Sequence, residues 1–135
     1  MRRVAAAAAL LALTGCNGSE EPRTKSCDGL LKPASADAAL PAGIPAGVEG
    51  AVFYEVRKAG ATALYYAHLE ADDIVAVRDT VAAAFARAGH TIDSRDEEPP
   101  AEAEFQFTTP TSDGSVRVTP LCAGTVTIRW RVGPR

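Results

Sequence analysis

Hydrophobic positions change their spacing several times along this 135-residue chain, and each change marks an element. Near the end, Val126, Ile128, Trp130 and Val132 alternate with Thr125, Thr127, Arg129 and Arg131. A period of two predicts a strand with one buried and one wet face. The same alternation puts Phe105 and Phe107 on one face of a strand over residues 104–108, and Val116 and Val118 on one face of another over residues 115–121. Ser112-Asp113-Gly114 is the expected turn between them. Upstream, residues 51–57 and 62–69 are rich in β-branched and aromatic side chains, and Gly60 between them predicts a hairpin. Phe53, Tyr54, Tyr65 and Tyr66 fall on both faces of that hairpin, so either aromatic rings are exposed or something covers the second face.

After the hairpin the spacing shifts to three and four. Ile74, Val77, Val81, Phe85 and Ala88 form one helical apolar face, with Arg78, Ala82 and Arg87 off it. Asp72 or Asp73 is placed to cap the helix start, and Arg87 followed by Gly89 marks its end. Residues 91–94 predict a short strand. Residues 95–104 gather Asp96, Glu97, Glu98, Glu102 and Glu104 around Pro99 and Pro100. They lack the fixed spacing of a calcium loop and predict a solvated one. Strand, strand, helix, short strand and three strands make an α+β domain over residues 51–133: a small, mostly antiparallel sheet covered on one face by a single amphipathic helix.

Residues 16–50 have a different texture. Residues 17–26 are polar and predict a flexible tether. Residues 33–50 carry Pro33, Pro41 and Pro45 and predict an extended, irregular arm. Leu40, Ile44 and Val48 recur in that arm every fourth residue and need burial, so the arm is expected to cover the sheet face opposite the helix.

The first residues have a different purpose. Arg2 and Arg3, ten apolar residues from Val4 to Leu13, then small residues, form the pattern of an export signal over residues 1–15. Ten helical residues cover about 15 Å, half of the roughly 30 Å hydrocarbon core of a bilayer. Leu13-Thr14-Gly15-Cys16 resembles the lipobox of bacterial lipoproteins. The resemblance covers the first 16 residues. It implies cleavage before Cys16, diacylglycerol on the Cys16 sulfur and usually fatty acylation of the new amino terminus. The partner it implies is a membrane, held through that covalent lipid, and the location is the cell envelope, facing periplasm or exterior. The layout of the whole chain is similar to that of small bacterial envelope lipoproteins, a likeness that implies no activity.

An ordinary secretory signal would leave three cysteines, an odd number in an exported chain. With Cys16 assigned to lipid, Cys27 and Cys122 are the single possible pair, and an oxidising compartment makes them a disulfide. Closing a loop across a separation of 95 residues is worth on the order of 4 to 5 kcal/mol in the chain-entropy model. A redox role lacks a Cys-x-x-Cys spacing, and no zinc-ligand spacing is present.

Loss of Arg2 and Arg3 leaves 12 basic against 17 acidic side chains, a formal charge of −5, with no basic stripe for a phosphate backbone. Nucleic acid is not an expected partner. No Gly-x-Ser-x-Gly, phosphate-binding glycine loop or His-Glu-x-x-His occurs, and no cofactor or metal is implied. His68, beside Glu70, Asp72 and Asp73, is the nearest approach to a catalytic constellation, and His90 follows the helix. The reading is a non-enzymatic binding or accessory module for an envelope partner, working through a sheet face or the arm. Arg129 and Arg131 on the wet face of the last strand are suited to a carboxylate or a partner protein. The alternative is a small hydrolase or metal-dependent enzyme centred on His68.

Overall fold

The computed structural model describes residues 25–135, so the predicted signal segment and Cys16 lie outside the described residues. Six antiparallel strands form one sheet, ordered β1-β2-β6-β5-β4-β3. They are β1 (Val52–Ala59), β2 (Thr62–Glu70), β3 (Thr91–Glu98), β4 (Glu102–Thr108), β5 (Ser112–Cys122) and β6 (Thr125–Pro134). The single α-helix among the described residues, α1 (Ile74–Arg87), crosses from β2 to β3 and lies on one face. This is the expected small α+β architecture. Asp73 caps α1 by accepting from the Ala76 amide at 3.0 Å, and Gly89, at φ +83°, lets the chain leave the helix.

The expected alternation holds through the centre of the sheet. Tyr65, Trp130, Val116 and Phe105 stand opposite one another across four strands, as do Ala67, Ile128, Val118 and Ala103 in the next row, and all eight are buried. Phe85 of α1 meets the Phe105 and Phe107 rings at centroid distances of 5.2 and 4.6 Å. Ile74, Val77, Val81 and Phe85 are buried, while Ala88 is exposed. Arg78 and Ala82, expected off the apolar face, are buried as well. The helix touches β4 and β5 beneath it and β3 at its flank, so its buried stripe is wider than one row.

The arm does not cover the opposite face. Ile44 belongs to the core on the helix side, with Leu40 and Val48 packed against it. Gly47 lies so close to α1 that a Cβ there would sit 2.8 Å from the Val81 Cα. The reason is width. Six strands at about 4.8 Å spacing span roughly 24 Å between the outer strands, whereas a helix with its side chains is about 10 Å across. With α1 over β3, β4 and β5, the arm fills the helix side over the other half of the sheet. A short 3-10 turn, Ala36–Ala38, packs on β1, and the Ser35 amide donates to the Phe53 carbonyl at 2.9 Å.

Two further expectations are corrected. The turn after β4 is built by Thr109, whose hydroxyl accepts from the Ser112 amide at 2.9 Å, and by Pro110. Ser112-Asp113-Gly114 therefore lies inside β5, and Gly114 passes so close to the Arg131 backbone carbonyl that a Cβ would overlap it. The acidic segment is a β-hairpin, with Pro99-Pro100 in a cis peptide at its turn and the Ala101 amide donating to the Glu98 carbonyl. Arg78 organises it. Its guanidinium donates to the Asp96 carbonyl at 2.9 Å and pairs with Glu97 at 2.9 Å and Asp79 at 3.0 Å. Charge along β3 also protects this sheet edge against pairing with another chain.

Cys27 and Cys122 form a disulfide, so the start of the arm is pinned to the end of β5. No helix among the described residues is long and apolar enough to cross a membrane.

Candidate functional site

Among the described residues no helix or strand lies on the face of the sheet away from α1; the chain before the arm reaches only its β1–β2 corner, at Lys32, and antiparallel register decides which side chains meet on the rest. Glu55, Tyr66, Arg129, Arg117 and Glu104 stand side by side in one row across β1, β2, β6, β5 and β4. Leu64, Arg131, Ser115 and Gln106 form the next. Bulges at Tyr54 and Asp93 interrupt the two edge strands, where such irregularities re-aim a side chain.

The β1–β2 half of this face is aromatic. Tyr54 stacks on His68 at 5.7 Å and lies 6.2 Å from Tyr66, while Lys32 and Arg57 sit over the Tyr54 and Tyr66 rings at 5.3 and 4.9 Å. Burial, followed by the nearby Glu55 charge, raises the Tyr54 pKa. The Arg57 guanidinium bonded to Glu55 holds that carboxyl below the usual range. Of the four aromatics read from the sequence, Phe53 and Tyr65 join the helix-side core, and Tyr54 and Tyr66 face outward.

The β4–β6 half is a concave groove of about 460 Å3, lined by Arg117, Arg129, Arg131, Ser115, Gln106 and Thr108, with Asp93, Glu104 and Asp113 also on its wall. The cations differ in what holds them. Arg117 is fixed by Glu104 at 2.6 Å and Glu102 at 3.2 Å, and the Glu104 hydrogen bond raises its pKa further. Asp93 accepts from the Thr108 hydroxyl at 2.7 Å. Arg129 and Arg131 enter no ion pair among the described residues, although Arg57, Arg78, Arg95 and Arg117 each have one. The Arg129 Nε is shielded from solvent and meets no acceptor. A buried donor left in that state costs on the order of 1 to 3 kcal/mol.

His68 does not assemble the expected constellation. Its Nε2 donates to the Lys32 carbonyl at 2.9 Å, which fixes that nitrogen as a donor and ties the arm to β2. Asp73 is occupied as the helix cap. Glu70 shares with His68 a cleft of about 310 Å3 that also touches Leu31 and Glu49, but neither Asp72 nor Asp73 lines it. No group of three or more His, Cys, Asp or Glu side chains among the described residues is arranged to hold a metal ion. His90 has a similar structural task, donating from Nε2 to the Gly43 carbonyl at 2.7 Å. The five acidic residues of the hairpin are also divided. Glu97 pairs with Arg78 on the helix side, and Glu102 and Glu104 pair with Arg117 on the open side.

The alternation of β6 is the signal that marks Arg129 and Arg131. Nothing in the local pattern marks Arg117, Ser115, Gln106 or Asp93, because only strand pairing brings them to the same groove. No family model, curated protein or solved structure matches the chain.

Proposed function

We propose that this protein is a lipid-anchored exported protein of the cell envelope that works as a non-enzymatic binding module, taking its partner on the open face of the sheet. The observation that carries the binding part is the division between the two faces. All the large fully buried side chains pack on the helix side, whereas the open side holds a concave groove with two arginines free of ion pairs. The lipid anchor is supported by Leu13-Thr14-Gly15-Cys16 directly after the apolar segment. Support for export comes from the Cys27–Cys122 disulfide, which suits an oxidising compartment and leaves Cys16 the one cysteine outside the pair.

Two readouts test this. The intact mass of protein extracted from membranes should equal residues 16–135 plus acyl chains and should rise by two protons on reduction. An unlipidated chain beginning at Met1 would overturn the anchor. Co-sedimentation of the unlipidated mature chain, residues 17–135 without the lipid-bearing Cys16, with isolated envelope material should be retained with the natural arginines and lost in the Arg129→Gln/Arg131→Gln double variant. Equal retention of both would overturn the assignment of the open face.

A further inference from the structure

We infer that the groove over β4, β5 and β6 is a binding site for a compact monocarboxylate, its carboxylate held by Arg129 and Arg131 and its neighbouring hydroxyl or ammonium donors turned toward Asp113. This inference deepens the open-face reading and rests on it.

Three independent features point to the ligand. First, Arg129 and Arg131 are two residues apart on one strand, so their side chains leave the same face about 7 Å apart, and neither enters an ion pair among the described residues. Two like charges held side by side are suited to one shared anion, and the planar guanidinium fork matches a carboxylate. Second, the shielded Arg129 Nε lacks an acceptor, and a carboxylate oxygen is one. Ser115, opposite Arg131, and Gln106 beyond it continue the row with further hydrogen-bonding groups.

Third, the rest of the wall limits the charge. Arg117, Arg129 and Arg131 are balanced in number by Asp93, Glu104 and Asp113. Glu104 is engaged by Arg117 and Asp93 by Thr108. A single negative charge shifts the lining to a net −1, whereas a doubly charged phosphate shifts it to −2 beside the same carboxylates. Asp113, which has neither an ion pair nor a side-chain hydrogen bond among the described residues, is left to accept from a donor beside the ligand's carboxylate. The volume of about 460 Å3 suits a small molecule or the end of a chain, not a broad protein interface.

The test is a nitrogen-15 titration of the full chain, reading the Arg129 and Arg131 Nε–H and the Ser115 and Gln106 amides. The probes are glucuronate, glycine, acetate and inorganic phosphate at constant ionic strength. Glucuronate and glycine distinguish hydroxyl from ammonium donors beside the carboxylate. At least one of them should act at a concentration tenfold below acetate and phosphate. Arg129→Gln should weaken that response tenfold or more, Arg131→Gln, at an exposed position, should weaken it too, and Arg57→Gln should leave it unchanged. A phosphate response equal to or stronger than the carboxylates, or no response to any probe, overturns the inference. If the probes fail while the double variant still loses envelope material, the ligand class is wrong and the open face stands. If both fail, the open-face reading falls with it.

Discussion

On the helix side of β6, Ile128, Trp130 and Val132 disappear into a core shared with Phe85, Phe105 and Val116. One residue along the same strand, Arg129 and Arg131 project into an open groove where neither enters an ion pair among the described residues. The backbone is common to both sides, so the difference is one of partners. The covered face is satisfied almost everywhere, by apolar contact or by the ion pairs of Arg78, with the shielded Trp130 indole N–H as an exception. The open face is satisfied only in part. Folding accounts for Arg117, Asp93 and His68, each of which has a bonded partner within the chain. It does not account for Arg129 or Arg131. Side chains that fold stability leaves unexplained are where a function is to be sought.

Truncation on the covered side should have the largest effect. Phe85 is fully buried between two phenylalanine rings, and Phe85→Ala should cost about 3 to 5 kcal/mol in denaturant unfolding. That is a large share of the roughly 5 to 15 kcal/mol available to a domain. Gly47→Ala should come next, at about 2 to 3 kcal/mol. Its φ of +75° disfavours a side chain, and the added methyl has no room beside Val81. A loss of that size would show that the arm belongs to the covered face and is not a loose tether.

Arg78→Met should cost about 2 kcal/mol by the same measurement, less than removal of a buried ion-pair partner usually does. Glu97 and Asp79, left behind, are half exposed and can be hydrated. The smallest of these effects lies on the open face and is read spectroscopically. Tyr54 has a raised pKa, so its stabilising contribution is complete below its ordinary value near 10 and is lost as pH rises through the raised value. Ultraviolet titration should show a late phenol component that Tyr54→Phe removes.

Much of the covered face was legible in the sequence because burial imposes a period. The alternation in β6 and the three-four spacing of Ile74, Val77, Val81 and Phe85 follow directly from which side meets the core. The acidic hairpin was not legible, since its residues are not strand formers. It is paired because Arg78 and Arg117, distant in sequence, neutralise it from opposite faces. Arg78 and Ala82 looked solvent-facing because one apolar stripe was counted where the helix touches both the sheet and the flank of β3. The arm's apolar residues correctly demanded burial, but which side of the sheet had room depended on the width of a six-stranded sheet. The groove lay beyond the sequence for a related reason. Alternation placed Arg129 and Arg131 on the wet face, while the neutralisation of Arg117 and the exposure of Asp113 depend on register across three strands.

If Arg129 and Arg131 serve binding and not the fold, their removal leaves the unfolding free energy of the unliganded protein undiminished. The Arg129→Gln/Arg131→Gln double variant and the wild-type chain should be unfolded in urea side by side without ligand. The unfolding free energy of the double variant should be unchanged or raised, by up to about 3 kcal/mol, because the substitutions remove two adjacent like charges and relieve a shielded donor without an acceptor. A loss of about 2 kcal/mol or more would instead make the pair a structural part of the sheet.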